Sequence, residues 1–380
     1  MIFDYATLKV IWWGFVGLLI IGFALTGGYD MGVGMLLPMV GKNDEERRVT
    51  INAIGPTWEG NQTWFVTAGG AAFAAWPLVY AAAFSGFYVA LMLVLFALFF
   101  RPVAFDYRSK LADPRWRNAW DWALFTGSAV PALVFGVAFG NLLLGVPFHY
   151  DDTMRMEYTG NFLGLLNPFG LLAGAISVAM LTMHGATFLQ VKTDGVVAER
   201  ARLAARIAAL VTVAGLALAG VWIATRISGY RILSMPDMNQ AFTPLAKTVG
   251  TEPGAWLANY ARWPATRAFP ILAIGAALLC ILLSHLRKSL AAFLASGLSV
   301  GCIVLTAGVS LFPFIMPSSL DPNSSLTVWD AVSSHKTLGI MFWVVVIMLP
   351  IIIVYTGWVF RILRGKVTLA HIRENEHSAY

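Results

Sequence analysis

Two acidic residues, Asp30 and Glu59, lie within stretches of the chain that are otherwise typical of membrane-spanning segments. An ionised carboxylate near the bilayer centre costs about 2.5–3.5 kcal/mol on insertion scales, so a carboxylate at that depth usually has a function. Asp30 comes 11 residues before Gly41, and Glu59 comes 11 residues after Arg48, on either side of a charged loop. In an antiparallel helix pair both carboxylates would lie about 16 Å from that loop, because a helix rises about 1.5 Å per residue. Two carboxylates at one depth predict a role in proton transfer.

Polar residues near the two carboxylates could complete a proton path. A helical second span would place four polar side chains on one face, at offsets of 7, 3 and 4 residues: Asn52, Glu59, Gln62 and Thr63. Asn52 could hold a bridging water and Gln62 could extend the hydrogen-bonded path, while the glycines around Asp30 would allow close helix approach. We therefore predict four proton-transfer residues: Glu59, Asp30, Asn52 and Gln62. The alternative, that either carboxylate only hydrogen-bonds within a packed bundle, stays open, more so for Asp30.

Three further residues have a chemical and a structural interpretation. Arg101, where the third apolar run ends, could bind a lipid phosphate, pair with Asp106, or be an ordinary interfacial arginine. Trp64 could line a path for a small molecule, although core packing is the better explanation. His184 is the one histidine of six that lies well inside a predicted span, and only His285 matches its depth. We therefore expect His184 to hydrogen-bond a neighbouring helix rather than to bind haem.

The composition defines the class of protein. The chain of 380 residues is 58% hydrophobic and 12% charged, with a mean hydropathy of +0.71, whereas soluble domains carry about 25% charged residues. This is the composition of an integral membrane protein. The sequence pI of 9.4 does not indicate nucleic-acid binding, because the basic residues flank apolar runs. The two cysteines, Cys280 and Cys302, lie in apolar runs without metal-ligand spacing.

Nine apolar runs of spanning length predict an all-α integral membrane protein with nine transmembrane helices, forming a single polytopic membrane domain over residues 1–380. The runs cover residues 9–39, 50–72, 78–100, 119–146, 162–187, 204–225, 268–285, 290–314 and 337–360. The second run is the most polar of the nine, so neighbouring helices must shield it from lipid.

The distribution of basic residues predicts the orientation. Most of the 26 Lys and Arg residues fall in alternate connections and in the C-terminal tail, and the positive-inside rule makes that side cytoplasmic. The N-terminus is then periplasmic and the C-terminus cytoplasmic. The connection over 226–267 resists this scheme, because it holds five basic residues, Lys247 among them, and yet must lie outside.

Several blocks of sequence resemble one family of membrane proteins. They are IWWGFVGLLIIGFALTGGYDMGVGMLLP, INAIGPTWEGNQTWFVTAGGAAFAAWPLVYAAAFSGFYVALMLVL, FFRPVAFDYRSK, NPFGLLAG, and TAGVSLFPFIMPSS with SLTVWDA. These blocks are similar to subunit II of cytochrome bd ubiquinol oxidase, and the resemblance extends from Ile11 to Tyr380. The W-E-G-N and G-Y-D-M-G blocks are its most specific parts.

The resemblance implies a fold of two four-helix bundles plus one peripheral helix. It also implies a heterodimer with a larger subunit I, often joined by a small single-helix subunit. Subunit I of this family carries two haems b, one haem d and the quinol-binding loop. The complex lies in the bacterial inner membrane among lipids. It oxidises quinol at the periplasmic face, reduces dioxygen to water with protons from the cytoplasm, and so generates proton motive force.

For this chain the resemblance implies a subunit without haem, in which some family members hold a structural quinone. The acid of the family's W-[DE]-G-N block lies on a cytoplasmic proton route, and this acid matches Glu59. The family usually reads D-G-[FY]-D where this chain has Gly27, Gly28, Tyr29 and Asp30, so the first acid is missing. A proton-coupled secondary transporter is the alternative function, although the paired, interrupted helices of such transporters are not evident.

Overall fold

The computed structural model describes residues 2–374 and contains thirteen α-helices in this range. In chain order they are α1 (Tyr5–Val40), α2 (Asp44–Ile54), α3 (Trp58–Ala75), α4 (Pro77–Gly86), α5 (Tyr88–Tyr107), α6 (Pro114–Leu144), α7 (Pro168–Lys192), α8 (Gly195–Thr225), α9 (Ala258–Arg262), α10 (Ala268–His285), α11 (Ser289–Leu311), α12 (His335–Ile362) and α13 (Leu369–Glu374). Eight of the described helices are long and apolar enough to cross a membrane: α1, α5, α6, α7, α8, α10, α11 and α12.

The second and third apolar runs are each interrupted, so the prediction of one continuous helix in each was wrong. Between α2 and α3 the chain turns at Gly55-Pro56-Thr57, because Pro56 has no N–H group with which to continue the hydrogen bonds of α2. Between α4 and α5 only Phe87 departs from helical geometry. Helix α3 is absent from the eight apolar spans, since its first half holds Glu59, Asn61 and Gln62.

Helices α1 and α7 cross in direct backbone contact at the centre of the protein. A Cβ atom on Gly32 would lie 2.0 Å from the carbonyl oxygen of Leu181, and one on Gly185 would lie 2.5 Å from the carbonyl carbon of Gly32. No side chain fits at either position. The glycines near Asp30 thus allow close helix approach as predicted, although the helix that approaches at Gly32 is α7.

The remaining spans pack around this crossing. Helices α3, α5 and α6 share apolar clusters with α1 and α7 on one side, and α8, α10 and α11 do so on the other. Helix α12 is largely exposed and contacts α1 near its own N-terminal end. The Asp30 region therefore lies between helices, away from the surface of the chain.

The chain is mostly helical, as the prediction of an all-α fold requires. Three two-stranded antiparallel sheets, which were not predicted, lie in the connections at one end of the bundle. They pair β1 (Phe148–Tyr150) with β2 (Met156–Tyr158), β3 (Ser228–Ser234) with β4 (Thr248–Pro253), and β5 (Phe314–Met316) with β6 (Leu326–Thr327). We call these hairpins and their connections the cap. Lys9 of α1 fixes the cap to the bundle, because its buried ammonium group donates to the carbonyl oxygens of Met238 (2.8 Å), Gln240 (3.1 Å) and Trp329 (2.8 Å).

Charge neutralisation in the cap accounts for part of the basic content of residues 226–267. Lys247 and Asp330 form an ion pair at 2.9 Å with both side chains fully buried. Arg231 pairs with Glu252 at 3.1 Å on the surface. Two of the five basic residues in this connection therefore have carboxylate partners within the cap.

The opposite end of the bundle is held by ion pairs between helix ends. Asp121 of α6 accepts from Arg108 Nε at 2.5 Å and from Arg47 at 2.8 Å, and Asp44 accepts from Arg108 at 3.0 Å and from Arg117 at 2.5 Å. These contacts tie α2 to α6 and to the end of α5. They place the start of α2, and thus the turn before α3, at a fixed position.

Candidate functional site

The candidate site is a buried polar cluster between α1, α3 and α5. Asp30 is fully buried, and Asn61 Nδ2 donates to its Oδ2 at 2.8 Å. The same nitrogen donates to the hydroxyl of Tyr29 at 2.7 Å. The Tyr29 hydroxyl in turn lies 3.4 Å from Oγ1 of Thr57, at the turn before α3. Together with Arg101, these residues are called the Asp30 cluster below.

One oxygen of Asp30 and one nitrogen of Arg101 remain without a hydrogen-bond partner. Within residues 2–374, Asp30 Oδ1 and Arg101 Nε are both buried and unpaired. Arg101 is 2% exposed and its charge attracts that of Asp30. Buried opposite charges compensate part of each other's desolvation cost. Oδ1 is therefore the oxygen that can take up a proton without breaking the bond from Asn61.

The surroundings of Arg101 explain how an arginine fits inside the bundle. Gly127 of α6 faces its stem, and a Cβ atom there would lie 3.0 Å from Arg101 Cγ. The guanidinium carbon lies 6.0 Å from the ring centre of Trp58, which itself stacks on Phe105. Because the side chain is buried, the interpretations of Arg101 as a lipid-phosphate ligand or an interfacial arginine were wrong. Asp106 is exposed and forms no ion pair with Arg101 in the described chain.

The structure does not gather the four predicted proton-transfer residues into one group. Glu59 is exposed on the outer face of α3, and within the described residues its side chain forms no ion pair or hydrogen bond. Gln62 is half-buried on the same helix. Asn52 belongs to α2, beyond the Pro56 turn, where its amide donates to the carbonyl oxygen of Arg48 at 2.8 Å. Of the four, only Asp30 lies in the cluster.

Three residues of the cluster were not predicted as site residues: Tyr29, Thr57 and Asn61. A signal for Asn61 exists in the sequence, because Asn61, Ala68 and Ala75 recur at intervals of seven residues and are the buried positions of α3. The prediction placed Glu59 on the inner face of this helix, whereas the structure places Asn61 there and Glu59 on the outer face.

The contacts of Trp64 and His184 indicate structural roles for both residues. The ring of Trp64 packs on Gly22, where a Cβ atom would lie 2.5 Å from ring atom Cε3, in agreement with the packing interpretation. His184 engages both ring nitrogens, with Ser296 Oγ of α11 at 2.8 Å and the carbonyl oxygen of Leu25 of α1 at 3.0 Å. The expectation that His184 hydrogen-bonds neighbouring helices is confirmed. No group of three or more potential metal ligands occurs among residues 2–374.

An apolar pocket of about 530 Å³ adjoins the Asp30 cluster. Tyr29 and His184 form part of its wall, and Phe188 and Phe293 line it with the exposed side of α11. Tyr29 stacks on Phe188 with ring centres 4.0 Å apart. The pocket is thus linked to Asp30 through the hydrogen bonds from Asn61 to Tyr29 and to Asp30.

These features define a polytopic helical membrane protein with a charged cluster inside the bundle. Residues 8–363 match the sequence model of cytochrome bd terminal oxidase subunit II, and the chain belongs to this family. It is therefore a subunit of a bacterial, multi-pass membrane quinol oxidase complex, an oxidoreductase.

Curated relatives match along nearly the whole chain. The chain is 56% identical to cytochrome bd-I ubiquinol oxidase subunit 2 of Escherichia coli K12, over 99% of the chain and 100% of that relative. It is 49% identical to the probable cytochrome oxidase subunit 2 of Haemophilus influenzae, with the same coverage. It is 32% identical to cytochrome bd ubiquinol oxidase subunit 2 of Bacillus subtilis, over 96% of the chain and 98% of the relative.

A solved structure shares the fold. A chain of the bd oxidase of Geobacillus thermodenitrificans superposes with a TM-score of 0.68 at 16% identity, covering 94% of this chain and 98% of that one. The family assignment does not favour the secondary transporter considered as the alternative.

Proposed function

We propose that this chain is the subunit without haem of a cytochrome bd-type quinol oxidase and that it carries part of the proton path for dioxygen reduction. The Asp30 cluster is the observation that carries this proposal. A carboxylate inside a membrane bundle is costly, yet Asp30 is fully buried, with Oδ2 bonded to Asn61, the charge of Arg101 acting on it, and Oδ1 without a hydrogen-bond partner in the described chain. This arrangement suits a group that binds and releases a proton.

We further propose that α3 is the second of nine spans and that subunit I covers its outer face. The outer face carries Glu59, Thr63, Val66 and Phe73, all exposed in the isolated chain. Lipid would not solvate the Glu59 carboxylate, and a partner with polar groups or water would. The packing of α1, α3, α5 and α6, and of α7, α8, α10 and α11, supports two four-helix bundles with α12 peripheral.

In this scheme protons enter from the cytoplasm by Glu59 at the boundary between the subunits. Asn52 and Gln62 lie on the approach to it, and Asp30 is the inner acceptor beside Arg101. Thr57 lies between the two regions, two residues before Glu59 and within reach of Tyr29. The proposed orientation, with a periplasmic N-terminus and a cytoplasmic C-terminus, places α2 and its ion pairs at the entry side.

The hydrogen bonds of His184 do not suit haem ligation. Ligation needs an imidazole nitrogen that is free to face the iron, and His184 has both nitrogens in hydrogen bonds to α1 and α11. We therefore propose that both haems b, haem d and the quinol-oxidising site belong to subunit I. A small single-helix subunit is proposed as a further partner, by the family resemblance alone.

The apolar pocket beside Tyr29 fits the isoprenoid part of a structural quinone better than its ring. Its volume lies in the range of small-molecule sites, about 300–1,000 Å³, and its walls are aromatic and aliphatic. The one imidazole in its wall already donates to Leu25, so it offers no free donor to a quinone carbonyl. A quinone would thus be held here by packing and would have no redox role.

Replacement of Asp30 by Asn in the assembled complex tests the proposal. Asn keeps the size of the side chain but cannot bind and release a proton, so we expect oxygen consumption with quinol to fall at least tenfold, about 1.4 kcal/mol of barrier. The haem absorption spectrum, measured on the same sample, should be unchanged. A wild-type rate with intact haems would show that the proton path avoids Asp30.

A further inference from the structure

A second charged site lies at the end of the bundle where the α7–α8 and α10–α11 turns meet. There a cleft of about 360 Å³ is formed by these turns and by the segment that follows α12. Its wall contains three basic and two acidic side chains: Arg202, Arg287, Lys366, Asp194 and Glu199. The cleft is far along the chain from the Asp30 cluster and has no part in the proposed proton path.

The two arginines of the cleft are held in place by one carboxylate. Glu199 Oε1 accepts from Arg202 at 2.7 Å and from Arg287 at 3.0 Å. Each guanidinium group keeps further donors, and Nε of Arg202 is buried without a partner in the described chain. Both guanidinium groups therefore have donors left for an acceptor bound in the cleft.

Lys366 supplies a positive charge to the cleft and Asp194 a negative one. Neither residue forms an ion pair within residues 2–374, and Asp194, although at the N-cap of α8, makes no side-chain capping bond. The segment carrying Lys366 is fixed, because Val367 N–H donates to the carbonyl oxygen of Lys192 at 2.7 Å and the Lys192 ammonium donates to the carbonyl oxygen of Leu363. The lysine is therefore positioned at the cleft by backbone contacts.

Exposed apolar side chains lie in and beside the segments that form the cleft. Val196 and Leu203 of α8 are 54% and 52% exposed, and Leu286 and Leu290 at the α10–α11 turn are 52% and 62% exposed. Exposed leucines next to basic residues at the end of membrane helices are the surroundings of a lipid headgroup with its acyl chains. A soluble anion would leave these side chains uncovered.

We propose that this cleft binds the headgroup of a phospholipid that carries a phosphate and a primary ammonium group, as phosphoethanolamine does. The phosphate would accept from Arg202, Arg287 and Lys366, since guanidinium groups match phosphate oxygens in pairs. The ammonium group would donate to Asp194. A purely anionic headgroup leaves Asp194 without a cation, and a quaternary ammonium group has no hydrogen to donate.

Lipid retention by the purified complex tests the proposal. The complex is solubilised in detergent, exchanged into mixed micelles with equal amounts of phosphatidylethanolamine, phosphatidylglycerol and phosphatidylcholine, and analysed by native mass spectrometry. We expect one phosphatidylethanolamine to be retained, at least threefold less of it in Lys366→Gln, and a loss of headgroup preference in Asp194→Asn. The matched control is Lys110→Gln, at an exposed lysine three residues after α5 ends, and it should behave as wild type.

Three outcomes would overturn the proposal. They are equal retention by Lys366→Gln and Lys110→Gln, an unchanged preference in Asp194→Asn, or displacement of the lipid by soluble O-phosphoethanolamine or inorganic phosphate at millimolar concentration. The last outcome would assign the cleft to a soluble phosphate compound. Haem absorbance per complex confirms assembly of each variant, so a loss of lipid cannot be mistaken for misfolding.

Discussion

Asn61 of α3 and Asp30 of α1 are joined by a 2.8 Å hydrogen bond, and both residues are buried. The other hydrogen of the same amide goes to Tyr29, so a flipped amide would turn its oxygen towards a carboxylate and lose both bonds. The orientation of Asn61 is thereby fixed, and with it the choice of Oδ2 as the bonded oxygen of Asp30. Oδ1, which has no hydrogen-bond partner in the described chain, is left for proton uptake.

The hydroxyl of Tyr29 should matter for turnover more than for folding. Tyr29→Phe keeps the ring stack on Phe188 at 4.0 Å but leaves one amide hydrogen of Asn61 without an acceptor, a loss of about 1 kcal/mol. We expect oxygen consumption to fall severalfold. Infrared difference spectra between the oxidised and reduced complex should contain a carboxyl band of Asp30, identified by its loss in Asp30→Asn. This band should shift in Tyr29→Phe.

The control is Tyr5→Phe, which removes another buried hydroxyl that donates to the carbonyl of Ser333 at 2.7 Å. It should leave oxygen consumption and the carboxyl band unchanged. An unshifted band would assign Tyr29 a packing role only.

Glu59 should be required for proton entry although it lies outside the Asp30 cluster. Glu59→Gln keeps size and hydrogen bonding but cannot release a proton, so we expect at least a tenfold fall in oxygen reduction, about 1.4 kcal/mol, with haem content intact. Glu59→Asp should retain activity. Glu157→Gln, an exposed acid in the cap, serves as the control. Wild-type turnover of Glu59→Gln from neutral to alkaline pH would be incompatible with proton entry at this position.

Hydropathy was sufficient to locate most of the spans, because a run of some twenty apolar residues has few other structures available. The break in the second span was also readable, since Gly55-Pro56 is a strong helix-ending pair. What hydropathy could not provide was the rotation of α3 about its axis. That rotation decides whether Asn61 or Glu59 faces α1, and it follows from packing that involves helices distant in sequence.

Asp30 was found from the sequence because its burial cost demands an explanation, but Arg101 was not placed beside it. An arginine at the end of an apolar run ordinarily reaches the headgroups, and only the open space opposite Gly127 of α6 permits another position. Lys247 is a similar case. Its partner Asp330 lies in a different connection, and no local pattern links the two.

The buried Lys247–Asp330 pair should be essential for stability of the cap. Asp330→Asn leaves the ammonium group of Lys247 buried without its counter-ion and should cost about 3–5 kcal/mol, seen as a lower thermal transition of the purified complex. Lys247→Met with Asp330→Leu should recover only part of this loss, because Asp330 also accepts from Thr327 N–H at 3.0 Å. Glu252→Gln breaks the exposed pair with Arg231 in the same cap and should cost at most about 1 kcal/mol. Equal effects of Asp330→Asn and Glu252→Gln would refute the special role of the buried pair.

Docking of α13 onto α2 should depend on pH through Glu45. Arg373 donates to both carboxylate oxygens of Glu45 at 3.0 Å, and this bond holds the pKa of Glu45 below its usual 4.5. A carboxyl group whose pKa is lowered in the folded state stabilises it above the unfolded pKa and loses that contribution as the pH falls through the folded value. A spin label on Ala370→Cys should therefore be immobile at pH 7 and gain mobility below about pH 4.5.

In Arg373→Gln the label should already be mobile at pH 7. Arg364 is an exposed arginine without an ion pair in the described chain, so Arg364→Gln should match wild type. A label in the wild-type chain that keeps the same mobility from pH 7 to pH 3.5 would mean that other contacts of α13, such as buried Ile372, hold it in place.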